Sequence, residues 1–195
     1  MMTDFNEAYK ITMSYEGGYA DNPNDHGGET WRGIARNFWP NWPGWEIVDH
    51  IHAQHPANLN QALKDNIQLE PMVMAFYQIE FWDSLSLTAV NYQKIANQLF
   101  DISVNMGTAM AARLLQTAIN TFTNNSLKVD EIIGANTIAA TNSMDQKALY
   151  NKINEFRKGQ YEQIIINNPS QAIFKDNWFS RINHLETIGR IWLNH

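Results

Sequence analysis

Cysteine is absent from the 195-residue chain. That excludes a disulfide framework and a thiolate nucleophile, and it leaves the redox compartment open. Basic residues are scarce: 14 Lys and Arg stand against 20 Asp and Glu, a formal net charge of −6. Wrapping a polyanion requires a basic face, so nucleic acid is not an expected partner. No apolar run approaches the roughly 20 residues of a membrane span. The opening MMTDFNEAYKITM has neither a basic n-region nor a long apolar h-region, so no Sec signal peptide is read there. The expectation is a soluble chain made in the cytoplasm, without membrane insertion. A target in the periplasm would then require release by other means, such as a holin. No Lys-Ser/Thr follows the glycines of GGETWRG, which excludes a P-loop, and no G-x-S-x-G elbow occurs. Apolar residues make up 44% of the chain, enough for one ordinary domain or two small lobes sharing a core.

Periodicity predicts a mainly helical protein. Residues 3–16 have helical spacing, with Thr3 as N-cap and Phe5, Tyr9, Thr12 and Met13 as one stripe. Glu16 falls on that same apolar side, where desolvation would raise its pKa. Gly17-Gly18 stop the helix. Residues 19–34 read as a turn-laden hairpin around Asn22 to Asp25. A Pro- and Trp-rich connection, NFWPNWPGW, covers 37–45. One or two short helices follow over 46–68, then a helix over 71–85 with Pro71 in its first turn. Further helices are expected from Leu99 to Met106, over 111–122, at Thr137 to Ala140, around 149–165 and over 176–193. The division read from the sequence is a front lobe, 1–95, and a helical lobe, 96–195, packed as one globule and monomeric.

The stretch EGGYADNPNDHGGETWRGI, residues 16–34, carries the chemistry. Cleaving a glycosidic bond needs a proton donor for the leaving oxygen and a group on the opposite sugar face. In inverting enzymes that group is a carboxylate about 6.5–9.5 Å from the acid. Glu16, partly desolvated at a helix end, suits an acid kept protonated near neutral pH. Asp25, on a polar Gly-flanked loop, would stay ionised. Thr30 on the return strand could hold a water. Glycines such as Gly28 let backbone approach a flat sugar polymer closely. A plainer reading fits the same residues: a solvated helix-end Glu, and Asp and Thr serving a turn and a strand. His50-x-His52-x-x-His55 lacks i,i+4 spacing and an acidic partner, so it reads as a solvated polar stretch rather than a metal site.

The run E-G-G-Y-x-x-x-P-x-D-x-G-G-x-T-x-x-G-I resembles the signature of glycoside hydrolase family 108, bacterial and phage N-acetylmuramidases with a lysozyme-like fold. Tyr77 to Asp83, YQIEFWD, resembles the family's Y-x-x-x-Y/F-W-D helix. Residues 99–141 resemble its small C-terminal peptidoglycan-binding module, through Val104-Asn105-x-Gly107, Leu114 to Ala118, and Val129 to Thr137. Glu131 stands where that module usually has Gly. The segment from Trp39 to Leu69 departs from the family and is placed to reshape one wall of the cleft.

The resemblance implies a lysozyme-like, mainly α fold with a small β-hairpin beside the cleft. It implies Glu16 as general acid, with Asp25 and Thr30 as water-positioning partners, an order similar to that of phage-type lysozymes. Tyr19, Gly28, Tyr77, Asn105 and Gln116 are the expected contacts to peptidoglycan glycan strands. No metal or organic cofactor is expected. The anticipated reaction is hydrolysis of the β-1,4 bond between N-acetylmuramic acid and N-acetylglucosamine with inversion. Two rivals remain: a lytic transglycosylase using Glu16 alone, and a peptidoglycan-binding or secretion-accessory protein without turnover.

Overall fold

A computed structural model describes residues 3–14, 17–22, 27–124 and 126–182. The protein is mainly helical with one small antiparallel sheet, the class its periodicity predicts. The chain divides into two compact units, Tyr9–Glu80 and the described residues of Met1–Ala8 with Phe81–His195.

Helix α1 spans Phe5–Met13, and its stripe of Phe5, Tyr9, Thr12 and Met13 is buried. Its cap is Asp4, not Thr3: the Asp4 carboxylate accepts the Asn6 N–H at 2.8 Å, as an N-cap does. The Thr3 hydroxyl is buried and donates to the Leu87 carbonyl at 2.6 Å.

In the unit Tyr9–Glu80, strands β1 (Tyr19–Ala20), β2 (Thr30–Trp31) and β3 (Ile34–Ala35) pair antiparallel in that order. The expected hairpin therefore gains a third strand. Arg32 and Gly33 both have positive φ, +50° and +83°, the requirement of a tight two-residue hairpin loop, so the chain turns back at once after Trp31. Much of the predicted turn around Asn22 to Asp25 lies outside the described residues. Helices α2 (Gly44–Ala53) and α3 (Leu59–Asp65) fill the segment expected to hold one or two. Asn58 caps α3 by accepting the Gln61 N–H at 3.0 Å. Helix α4, Leu69–Tyr77, has Pro71 within its first turn, where no intrahelical N–H is needed. It runs on as a π-helical stretch, Gln78–Asp83, rather than as regular α-helix. Trp31, Ile34, Trp45, Val48, Leu63, Val73 and Tyr77 form the core of this unit.

In the other unit, α5 (Gln93–Met106) and α6 (Thr108–Asn120) meet at Gly107, whose φ of +87° changes the chain direction in one residue. The predicted stripe Ala111, Leu114, Leu115, Ala118 and Ile119 is buried. Phe122 lies past the end of α6 and is about half exposed. Helices α7 (Ala135–Ser143) and α8 (Gln146–Asn167) follow, with Asp145 capping α8 through the Ala148 N–H at 2.7 Å. Residues 175–182 are helical, and the rest of the predicted last helix lies outside the described residues.

The core of this unit holds charge. Asp101 of α5, 1% exposed, is 2.7 Å from Nη2 of the fully buried Arg157 on α8 and 3.0 Å from Nε of Arg181. Arg157 also donates from Nε and Nη2 to the Tyr161 hydroxyl, at 3.2 and 3.1 Å. Burial works against the Arg157 charge, but Asp101 and Tyr161 outweigh it and leave its pKa raised.

Candidate active site

The opening motif runs from the end of α1 through the three-stranded sheet. The two carboxylates expected to act in catalysis, Glu16 and Asp25, lie outside the described residues. Thr30, Tyr19 and Gly28 are described, and the sheet brings them together. Thr30 sits on the central strand, opposite Ala20 on one side and Ala35 on the other. It is half-buried, and its hydroxyl donates to the Gly28 carbonyl at 3.2 Å. Gly28 has φ +66°, and a Cβ there would stand 2.8 Å from the Asn37 amide nitrogen. The positive φ favours glycine at this position, and any Cβ would also displace the Asn37 amide.

Tyr19 lies on the edge strand and is held from outside the sheet. Its N–H donates to Asn60 Oδ1 at 2.7 Å, and its carbonyl lies 3.5 Å from Asn60 Nδ2. A Cβ on Gly18 would collide with the same Asn60 side chain. The Tyr19 ring meets the His52 ring edge-on at 5.8 Å. Burial, then a hydrogen bond to the Glu29 carboxylate, pushes its phenol up to about 12.

Glu29 joins a second fastening. Arg36 lies 2.5 Å from both Glu29 Oε2 and Asp49 Oδ1, and its guanidinium stands 4.2 Å from the centre of the Trp45 ring. Partial burial disfavours the charge, and the two carboxylates reverse that to give a raised pKa. Across the sheet, Arg32 pairs with Glu70 at 3.3 Å, and Glu70 accepts the Tyr9 hydroxyl at 2.8 Å. Burial first, and Glu70 second, holds the Tyr9 phenol well above its ordinary value. Tyr77, 2% exposed, donates its hydroxyl to the Arg32 carbonyl at 2.8 Å and so pins the β2–β3 turn. The result is a small, rigid sheet clamped by Asn60, Tyr77 and the Arg36 ion pairs, with the Thr30 hydroxyl at its centre.

Asn105 and Gln116 belong to the other unit. Asn105 is exposed, and its amide donates to the Asp101 carbonyl at 2.6 Å. Gln116 is 1% exposed. Its Nε2 donates to Asp130 and the Ile132 carbonyl, and its Oε1 accepts the N–H groups of Asp130 and Glu131. That engages the amide in shaping the turn before α7. The Gln116 and Ile132 N–H donors hold the Asp130 carboxyl below its usual range.

The sequence pattern of the family described as Glycosyl hydrolase 108 matches residues 9–107, a span that contains the whole opening motif and the sheet. The chain belongs to glycosyl hydrolase family 108. A second pattern, described as a predicted peptidoglycan domain, matches residues 110–183. No curated protein sequence matches the chain. A solved structure of SagA from Brucella abortus shares the fold, with a TM-score of 0.63 at 21% identity over 94% of this chain and 91% of that one. The family 108 protein is thus a glycoside hydrolase by family, and the two matches together make it a peptidoglycan hydrolase or binder that acts on the cell wall.

In this family 108 chain, Glu131 has φ +66°, the left-handed backbone that a Gly adopts without strain. A non-Gly residue there is strained. Glu131→Gly is expected to raise stability by about 0.5–1 kcal/mol, the strain relieved less the extra freedom of an unfolded Gly. The exposed Glu131–Arg113 pair at 3.4 Å contributes little against that. The check is a higher urea midpoint at unchanged m-value.

Sequence reasoning does not single out Asn60, Asp49 or Arg36. Glu29 lies inside the motif at a variable place, and only its spacing of seven to Arg36 in a turn-rich stretch hints at a pair. Asn60 carries no sequence signal, since its partner Tyr19 is 41 residues away.

Proposed function

We propose that this family 108 protein is an N-acetylmuramidase that hydrolyses the β-1,4 bond between N-acetylmuramic acid and N-acetylglucosamine. Glu16 is the general acid and protonates the leaving glycosidic oxygen. Asp25 accepts a proton from a water that attacks the anomeric carbon, and Thr30 positions that water with its hydroxyl. The water oxygen forms the new bond from the face opposite the leaving group, so the anomeric configuration inverts. Tyr19 and Gly28 border the glycan. Asn105 and Gln116 serve a wall-binding lobe.

The observation that supports this reading best is the family 108 match over residues 9–107, which takes in Glu16, Asp25 and Thr30 in one motif. The clamped sheet supports it further, because a water-positioning hydroxyl must be held still. Product analysis by mass spectrometry on purified sacculi tests it. Hydrated muropeptides with N-acetylmuramic acid at the reducing end are expected. Products lighter by one water would replace hydrolysis with transglycosylation, and no soluble product over a broad pH range would leave only binding.

A further inference from the structure

The Pro- and Trp-rich connection between β3 and α2 does more than link them. Within the unit Tyr9–Glu80 it walls a cavity of about 450 Å³, with Phe38, Trp39, Asn41 and Trp42 on one side and Ile79 and Glu80 among the residues lining it from the π-helical stretch. The aromatic walls are fixed in place. Trp39 packs edge-to-face on Phe76 at 4.9 Å, Trp42 on Trp45 at 5.3 Å, and the Trp45 indole N–H donates to the Trp39 carbonyl at 2.8 Å. Gly44 permits this, since a Cβ there would strike the Trp42 ring. Pro40 and Pro43 stiffen the same loop. Yet Phe38 is 67% and Ile79 61% exposed, large apolar side chains held in water beside a preformed hollow, as at a binding site.

Chemistry narrows the occupant. Glu80 is the one charged group among the described lining residues, so an anionic chain finds no complementary partner field and a polycation meets a single carboxylate. Ring faces suit the apolar CH faces and acetamido methyl of a pyranose, and the Asn41 amide and Glu80 carboxylate suit its hydroxyl and amide edges. The cavity is also tied to the sheet: the N–H groups of Phe38 and Trp39 both donate to the Ala35 carbonyl, at 3.1 and 2.9 Å, and Ala35 is the register partner of Thr30.

We propose that this cavity is an accessory subsite for a neutral acetamido-sugar unit of a glycan strand. The proposal rests on the glycan-hydrolase reading for its ligand class, but not on turnover. The test uses the full chain carrying Glu16→Gln, which leaves the probe intact, and titrates it with the N-acetylglucosamine tetramer by calorimetry. Phe38→Ala and Asn41→Ala remove exposed side chains, and circular dichroism confirms that the variants fold. The pair together is expected to weaken binding roughly tenfold, as the loss of one stacked ring and one hydrogen bond would. Phe38→Tyr, which keeps the ring, is expected to retain the parent affinity. Affinity within twofold of the parent in the Phe38→Ala/Asn41→Ala chain overturns the proposal, even if the wild-type chain cleaves sacculi. So does a concentration-dependent dimer that Phe38→Ala abolishes, which would give the cavity to a second copy. Weakened binding by the variants, alongside a wild-type chain that cleaves no sacculi, would sustain the subsite and remove the muramidase reading alone.

Discussion

Glu16→Gln is expected to lower the rate of glycan-strand hydrolysis by about 10²–10⁴-fold, the usual contribution of a positioned general acid. The substitution keeps size and hydrogen-bonding shape but cannot deliver a proton to a departing sugar oxygen. Binding should persist, because the carboxamide still occupies the same space. The readout is single-turnover release of soluble fragments from purified sacculi, which separates chemistry from association. A variant that retains a tenth or more of the wild-type rate would remove Glu16 from the proton-donor role, and a folded variant that no longer sediments with sacculi would recast it as a binding residue.

The second large effect belongs to the C-terminal helices. Asp101→Asn is expected to destabilise the protein by about 3–5 kcal/mol, as removing one partner of a buried ion pair does. Arg157 is fully buried and Arg181 nearly so, and with Asp101 neutral the Arg157 guanidinium loses the carboxylate that offsets its buried charge. Arg157 Nη1 already has no hydrogen-bond partner among the described residues. At about 2–4 °C per kcal/mol for a chain of this size, the melting temperature should fall by roughly 6–20 °C. Replacing Asp101, Arg157 and Arg181 together by apolar residues of similar volume should recover most of the loss, because it removes the charges as well as their pairing. A melting temperature within 2 °C of wild type for Asp101→Asn would show that the cluster is better hydrated than its burial indicates.

Long helices with regular apolar spacing were legible from sequence. The stripes of α1 and α6 are buried as their periodicity requires, because one face of a long helix must repeat every three to four residues. Two-residue strands carry no period at all. The third strand could be found only through the Arg32-Gly33 turn, which a run of glycines and polar residues conceals. The π-helical stretch after Tyr77 was equally hidden, since Gln78 to Asp83 has the composition of ordinary helix. Around the site, the motif residues were legible because they are close in sequence. The groups that fasten them were not: Asn60 reaches Tyr19 across 41 residues and Tyr77 reaches Arg32 across 45. Such pairs are set by how elements pack, and nothing local announces them.

The side chain of Asn60 has one more effect. In an antiparallel edge strand only alternate residues turn their peptide groups outward, and in a strand as short as β1 that residue is Tyr19. Its outward N–H and carbonyl are both answered by one amide, which stands where a fourth strand would otherwise dock. The β1 margin of the sheet is thereby closed to strand addition by another molecule.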